Sequence, residues 1–393
     1  MPAASSVAVL LFLAGAGAPG IATAADLTPA AQLGRLLFFD ATLSASGRLS
    51  CASCHDPANA YAAPRAAAGV VLPGGVRSDR VGLRTVPSLR YLADTPRFAR
   101  HTYRDTGSER EDIGPAGGFM LDGRADSLQQ QALLPLLDAA EMANASVAAL
   151  ARRLRSTRYF GEFAQVFGVG AGDSQSIADA AAAALERFEL EDPSFHPYDS
   201  RFDRSLRGTE TLSAQEREGQ RLFTDPAKGN CAACHTAMTG PQGRPPDFTD
   251  RSYHALGVPR NPAIPANHDS RFFDLGLCGP LRADLQAARQ YCGYFKTPTL
   301  RNVARRRFFF HNGRFTSLEQ VVRFYATRDT DARQWYPVVA GRLRRFDDLP
   351  LPYRGNVNVS DAPLNRDAGD LPALDQREIA ALVAFLRTLD DAT

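Results

Sequence analysis

The amino-acid sequence predicts a mainly α-helical protein made of two related units, and three observations lead there. Apolar residues recur at helical spacing along much of the chain, strand-like alternation is scarce, and four short stretches occur twice in the same order.

Helical periodicity is clearest from Ile177 to Phe188 and in the closing "REIAALVAFLRTL", where Ile379, Leu382, Val383 and Leu386 share one face. The duplication pairs "LGRLLFFD" (Leu33 to Asp40) with "EGQRLFTD" (Glu218 to Asp225), and "LSCASCHDP" (Leu49 to Pro57) with "GNCAACHTA" (Gly229 to Ala237). It continues with "PSLR" (Pro87 to Arg90) against "PTLR" (Pro298 to Arg301), and "DGRADSLQQQ" (Asp122 to Gln131) against "NGRFTSLEQV" (Asn312 to Val321). The turn-rich stretch "EDPSFHPYDSRFDRSLRG" closes the first unit and sets a boundary near residue 205, giving units 26–205 and 206–393. A chain of 393 residues is long enough for two cores, and 44% hydrophobic against 22% charged residues is ordinary for a soluble globular protein.

With 45 Lys and Arg against 43 Asp and Glu, the chain carries no field suited to nucleic acid or an anionic membrane surface. Basic runs such as Arg305-Arg306-Arg307 read as local solvated turns. At the N-terminus, "VAVLLFLAGAGA" (Val7 to Ala18) is shorter than the ~20 residues of a membrane span and precedes Ala22-Thr23-Ala24, a small-x-small signal-peptidase site. Residues 1–25 are therefore expected to be a signal peptide, with the mature chain starting at Ala25 or Asp26, periplasmic and without a membrane span.

Export puts the six cysteines where disulfides persist. Four lie in two Cys-x-x-Cys-His motifs, in which the thiols add across the vinyl groups of haem and the adjacent histidine reaches the iron. Cys51, Cys54 and His55 are assigned to one covalently bound c-type haem, and Cys231, Cys234 and His235 to a second, which makes the units two cytochrome-c-like haem domains related by internal repeat. A thioredoxin-like redox pair needs no such histidine, and a zinc site would use both pairs together. Cys278 and Cys292 have no histidine beside them and read as a disulfide closing "CGPLRADLQAARQYC".

Aligning Gly123 with Gly313 sets Leu128, Gln131, Ala132 and Pro135 against Leu318, Val321, Val322 and Tyr325, each set at i, i+3, i+4, i+7. Tyr325 faces inward where its counterpart is Pro135; a phenol can ligate ferric iron, as in catalase, and a proline cannot. From spacing alone a packed core tyrosine is the ordinary reading.

The stretches "LGRLLFFDATLSASGRLSCASCHDP", "DGRADSLQQQALLPLLDAAEM", "GNCAACH", "FKTPTLRNV" and "FFHNGRFTSLEQVVRFY" resemble the bacterial di-haem cytochrome c peroxidases, in their MauG-like branch. The resemblance covers nearly all of the chain after the expected signal peptide. It implies a peroxide-reacting N-terminal haem and an electron-transfer C-terminal haem, the latter with a distal ligand fourteen residues after His311, which is Tyr325. Methionine stands at that place in conventional peroxidases of the family and tyrosine in MauG-like members. The resemblance also assigns the distal catalytic pair to Gln131, which orients peroxide, and Glu141, which shuttles its proton.

Many conventional members have a histidine soon after the first haem motif that caps the iron until reduction. Here none occurs between His55 and His101, so the first haem is expected to be open, with His101, His196, His254 and His268 as outside candidates for a cap. The family's tryptophan before "DGR" is replaced by Leu121, and the one tryptophan is Trp335. Calcium between the domains is also implied by the family, but its usual asparagine is replaced by Thr85, and Arg306-Arg307-Phe308 occupies the segment that supplies carbonyls. Three activities follow from these residues: H2O2 reduction with electrons relayed through the C-terminal haem from a small cytochrome c or cupredoxin; MauG-like oxidation of a partner protein; and non-catalytic electron carriage, against which Gln131 and Glu141 argue.

Overall fold

One pair of packed helices in each half of the chain carries the architecture. The computed structural model describes residues 27–105 and 110–392; the expected signal peptide lies outside them. Helix α1 (Pro29–Phe39) begins at Thr28, whose side chain accepts from the Ala31 amide, with Pro29 pre-set in the first turn. It lies across α6 (Ser174–Glu191) so closely that a Cβ on Gly34 would collide with the Ala184 carbonyl. In the second half α8 (Ala214–Thr224) crosses α10 (Gln376–Arg387), and a Cβ on Gly219 would collide with the Ala381 carbonyl in the same manner. Both glycines are the third residue before a buried leucine, Leu37 and Leu222, so the close approach and the apolar stripe are parts of one face.

Around these pairs two apolar cores form. The first gathers Phe38, Leu150, Phe163, Ile177, Phe188 and Phe195; the second gathers Phe202, Phe223, Phe248, Phe324, Leu382 and Phe385. The chain leaves the first core after Phe195 and enters the second at Phe202, on the short helix α7 (Arg201–Leu206). The numbering of the remaining helices follows the chain: α2 (Cys51–Cys54), α3 (Leu128–Leu137), α4 (Val147–Arg155), α5 (Phe160–Phe167) and α9 (Leu318–Thr327). The faces expected at Ile177 to Phe188 and at Ile379, Leu382, Val383 and Leu386 are buried.

Buried ion pairs lock the halves together. Arg90 Nη1 donates to Asp391 at 3.0 Å, and the Tyr91 hydroxyl donates to the same carboxylate at 2.7 Å. Arg84 pairs with Asp122 at 2.7 Å and with Asp274 at 2.6 Å, all three nearly enclosed. Arg301 makes two parallel 2.8 Å bonds to Asp203 while its guanidinium lies over the Tyr91 and Tyr198 rings. Arg90 and Arg301 are the last residues of the two "P-[ST]-L-R" stretches.

Sheet is confined, among the described residues, to four two-stranded pieces. The largest, a hairpin pairing Ala99–Asp105 with Arg110–Ala116, has no counterpart in the sequence reading. Most of its second strand is exposed, so backbone pairing rather than apolar alternation holds it, and periodicity gave no sign of it. Cys278 and Cys292 are disulfide-bonded, as the sequence reading expected.

Candidate functional site

Each Cys-x-x-Cys-His motif is wound into a single tight turn. In α2, Ser50 and Ser53 cap one another reciprocally, and the His55 amide donates to the Cys51 carbonyl at 2.8 Å. In the second motif the His235 amide donates to the Cys231 carbonyl at the same 2.8 Å. The four motif cysteines are not bridged to one another, although Cys278 and Cys292 are. Burial pushes the Cys51 thiol up to about 12, Cys54 to about 11 and Cys231 to about 12, so they are held as thiols.

The two histidines are oriented alike. His55 Nδ1 lies 3.1 Å from the Tyr61 carbonyl, with the Pro87 carbonyl also bonded to the ring; His235 Nδ1 lies 3.0 Å from the Phe248 carbonyl, with Pro298 in the matching role. With Nδ1 donating to a carbonyl, Nε2 is left as the free lone pair a metal requires. Burial lowers both pKa values, which keeps both rings neutral. The prolines of "PSLR" and "PTLR" thus act through backbone oxygens, which no side-chain pattern announces.

Around His235 opens a cavity of ≈ 220 Å³ with a mainly apolar wall that includes Cys231, Cys234, Val321, Val322 and Tyr325. Tyr325 projects from α9 into it, and its hydroxyl has no hydrogen-bond partner among the described residues. Burial, with the neighbouring cysteines adding, holds the Tyr325 proton well above the usual phenol range. A ferric ion would act in the opposite sense, since a bound cation is the largest local charge in such a site. An unpartnered phenol facing an oriented imidazole across an apolar cavity, beside two unbridged cysteines, fits a covalently held haem.

The first half repeats the arrangement up to the distal side. The turn before α3 bridges Phe119 to Ala125 with Gly123 at φ 63°, and the turn before α9 bridges Phe309 to Phe315 with Gly313 at φ 61°. Both glycines need this left-handed backbone, and both lie directly against a side chain, Tyr253 or Val70. Ser127 and Ser317 then cap α3 and α9. A cavity of ≈ 70 Å³ is walled by Ala60, Pro87, Phe119 and Gln131. Gln131 is 8% exposed, and its Oε1 has no partner. Glu141 has one face open but is crowded by protein elsewhere, and its charge acts on both Cys51 and Cys54. Desolvation pushes its carboxyl up to about 7, with Asp138 adding and Arg124 opposing. Glu141 and the first motif are therefore brought together, as are Tyr325 and the second, while Gln131 lines the smaller cavity with Pro87.

Among the four outlying histidines, His101 pairs with Asp112 at 2.6 Å on the exposed hairpin, and His268 bonds the Pro262 carbonyl at 3.0 Å in an exposed turn. His254 lines the second cavity, bonding Ser252 at 2.8 Å, and His196 lies outside the walls of either. Leu121 stands in a wall common to both cavities, whereas Trp335 is packed in the second core against Phe315 and Phe324. At the place where the resemblance expects a calcium-binding side chain, Thr85 is engaged within the protein. Thr85 donates its hydroxyl to the Phe310 carbonyl at 3.0 Å, and the single cluster of metal-ligating side chains among the described residues, Cys234, Asp250 and His254, lies at the second motif.

Sequence reasoning missed three groups. Lys296 and Arg306 also belong to the shared wall, and Glu189, 7% exposed and with Oε2 unpartnered, is pushed up to about 8 by burial beside Cys51. The run Arg305-Arg306-Arg307 is a correction: Arg305 donates to the Asp391 carbonyl and Arg307 to the Ala67 carbonyl, while Arg306 turns inward. Its short 3-10 turn, Val303–Arg305, rotates the middle arginine away from solvent.

Comparison with known proteins agrees with this geometry. Residues 28–211 match the family model of di-haem cytochrome c peroxidases. The chain is 35% identical over 389 residues to the methylamine utilization protein MauG of Paracoccus denitrificans, spanning 95% of this chain and 92% of that protein. Among solved structures it is similar to the diheme peroxidase BthA of Burkholderia thailandensis, with TM-score 0.82 and 42% identity over 92% of this chain and 86% of that one. It shares its fold with a MauG-like protein associated with microbial copper homeostasis, at TM-score 0.64 and 23% identity over 95% of this chain and 94% of that one.

Proposed function

The chain belongs to the di-haem cytochrome c peroxidase family, in its MauG-like branch, and from that premise we propose that it reduces H2O2 at the N-terminal site, drawing electrons through the C-terminal site. It is an oxidoreductase acting on peroxide. The observation that carries the reading is Glu141, whose charge acts on both cysteines of the first motif, together with Gln131, whose buried Oε1 has no partner and which lines a cavity with Pro87.

In this reading Cys51, Cys54 and His55 would hold one c-type haem, and Cys231, Cys234 and His235 the other, with the Tyr325 phenol as a further ligand group available to the second. The haem irons supply the electrons and the coordination site for peroxide. Glu141 takes the proton from the near peroxide oxygen and returns it to the departing one as water forms, and the Gln131 amide fixes the molecule's orientation. Pro135 leaves the distal side of the first site free where α9 presents Tyr325. The matched glycine contacts, turns and histidine carbonyls support two haem domains of one plan, residues 26–205 and 206–393; the export signal read from residues 1–25 would place them in the periplasm. No helix among the described residues is long and apolar enough to cross a membrane. The electron donor is a small cytochrome c or cupredoxin.

A second reading, oxidation of a partner protein, draws support from the 35% identity to MauG. Leu121 in the shared wall weighs against it, because an aliphatic side chain offers no redox-active bridge. The test mixes fully ferric protein with H2O2 and then with a reduced small cytochrome. Reoxidation of that cytochrome at turnover rates is expected; two bound haems and no reaction with H2O2 would overturn the proposal. Tyr325→Phe is expected to change the spectrum of the C-terminal haem alone, and an unchanged spectrum would return Tyr325 to the core.

A further inference from the structure

The wall between the two cavities holds two basic side chains that form no ion pair among the described residues. Lys296 and Arg306 both line the ≈ 220 Å³ cavity and the ≈ 70 Å³ cavity. Lys296 Nζ donates to the Gly118 carbonyl at 2.6 Å and lies 5.7 Å from the Phe119 ring centroid, but meets no carboxylate. The carboxylate whose charge reaches it, Asp122, is already taken by Arg84 at 2.7 Å and by Arg124 at 2.9 Å. Arg306 has no side-chain partner among the described residues. By contrast, the other arginines of this region are paired: Arg251 with Asp247 at 2.6 Å, and Arg301 with Asp203 at 2.8 Å.

Two unbalanced cations at an enclosed wall are costly, and a protein keeps them where a ligand supplies the missing anions. The cavities themselves indicate which ligand. A haem tethered by its vinyl edge at Cys231 and Cys234, or at Cys51 and Cys54, turns its opposite edge away from the motif. That edge carries two carboxylates. We propose that Lys296 and Arg306 form one shared anion site that would receive carboxylates of the haem held at each motif and so couple the charges of the two sites. This rests on the two-haem reading and goes beyond it in assigning the residues that join the sites. Burial lowers the Lys296 pKa to about 7 and the Arg306 pKa to about 10, as expected of cations that lack their counter-ions. Propionates would restore both.

The consequence is electrostatic. A positive charge at the edge of a haem favours reduction, so a cation common to both sites raises both potentials, and removing it lowers both. At separations of about 10 Å and an effective dielectric of about 20, one charge changes each reduction equilibrium on the order of tenfold. A tenfold change is ~59 mV for a one-electron couple.

The test titrates the holoprotein spectroscopically, wild type against Arg306→Gln, Lys296→Met, Arg306→Lys and the exposed control Arg271→Gln. Denatured mass must show two covalent haems in every variant; their absence would count against the haem reading, not against the shared site. With both haems present, Arg306→Gln and Lys296→Met are expected to shift both potentials negative by about tenfold in the reduction constant. Arg306→Lys is expected to recover most of the shift. If the neutral variants leave both potentials unchanged or move only one, the shared site is overturned; so is it if Arg306→Lys behaves like Arg306→Gln.

Discussion

Glu141 offers the most demanding test of the catalytic assignment, because its environment sets where activity should fail. Its carboxyl is pushed up to about 7 by desolvation, with Asp138 adding to the rise and Arg124 opposing it. Only the ionised form accepts a proton from peroxide. The ionised fraction is half at that pH and falls about tenfold for each unit below it, to roughly one in a hundred near pH 5. The rate of reaction with H2O2 is therefore expected to be level above pH 7 and to drop about a hundredfold by pH 5, where an ordinary glutamate, with a pKa of about 4.3, would still be mostly ionised. Stopped-flow mixing of fully ferric protein with excess H2O2 across this range reads the profile. Glu141→Gln is expected to be slower by on the order of 10²- to 10⁴-fold on the plateau and to lose the break. Glu141→Asp is expected to keep a break with a reduced plateau. A flat wild-type profile would remove the raised carboxyl from the mechanism, and a break that survives in Glu141→Gln would assign it to another group, of which Glu189 is the first to examine.

Three further outcomes probe attachment and stability. Cys51→Ala combined with Cys54→Ala is expected to leave one covalent haem by denatured mass, and the same change at Cys231 and Cys234 to leave the other; loss of both from either pair would mean the sites are not independent. Arg301→Leu strands a fully buried Asp203 and is expected to cost about 3–5 kcal/mol in denaturant unfolding, while adding Asp203→Leu is expected to recover part of the loss. Gly219→Ala pushes a methyl into the Ala381 carbonyl and is expected to cost at least about 1–3 kcal/mol, whereas Gly161→Ala on α5, with nothing within 4 Å, is expected to be neutral or slightly stabilising. Equal effects at the two glycines would refute the close-packing argument.

What the sequence disclosed follows from what its spacings force. Cys-x-x-Cys-His is a covalent geometry written in five residues, and the turn that the structure makes at Cys51 and Cys231 is the local consequence of it. Helix faces at Ile379, Leu382, Val383 and Leu386 were legible because burial imposes period 3.6. The exposed hairpin at 99–116 was not, because its strands bury little and so carry no period. Lys296 and Arg306 were hidden for a different reason. Lys296 is a lone charge in "GYFKTPT" with nothing in the pattern to say which way it points, Arg306 written between two arginines looks solvated, and only the path of the chain past Val303–Arg305 shows that one arginine of three points into the protein.

The difference between the two sites comes down to a few side chains on a common backbone. Gly123 and Gly313 make the same turn, Ser127 and Ser317 cap the helices that follow, and His55 and His235 bond backbone carbonyls in the same way. Against this shared frame, α9 sets Tyr325 in the wall of its cavity, whereas α3 carries Pro135 at the matching position, which has neither a ligand atom nor an amide hydrogen. One turn earlier the pattern reverses: α3 turns the unpartnered Gln131 amide to its cavity, and α9 lines its own with the apolar Val321. A polar group that orients small molecules is useful only where a coordination position stays open, and a phenol ligand is useful only where it stays closed. The two exchanges therefore imply each other, and a division of labour between the sites needs no rearrangement of the fold.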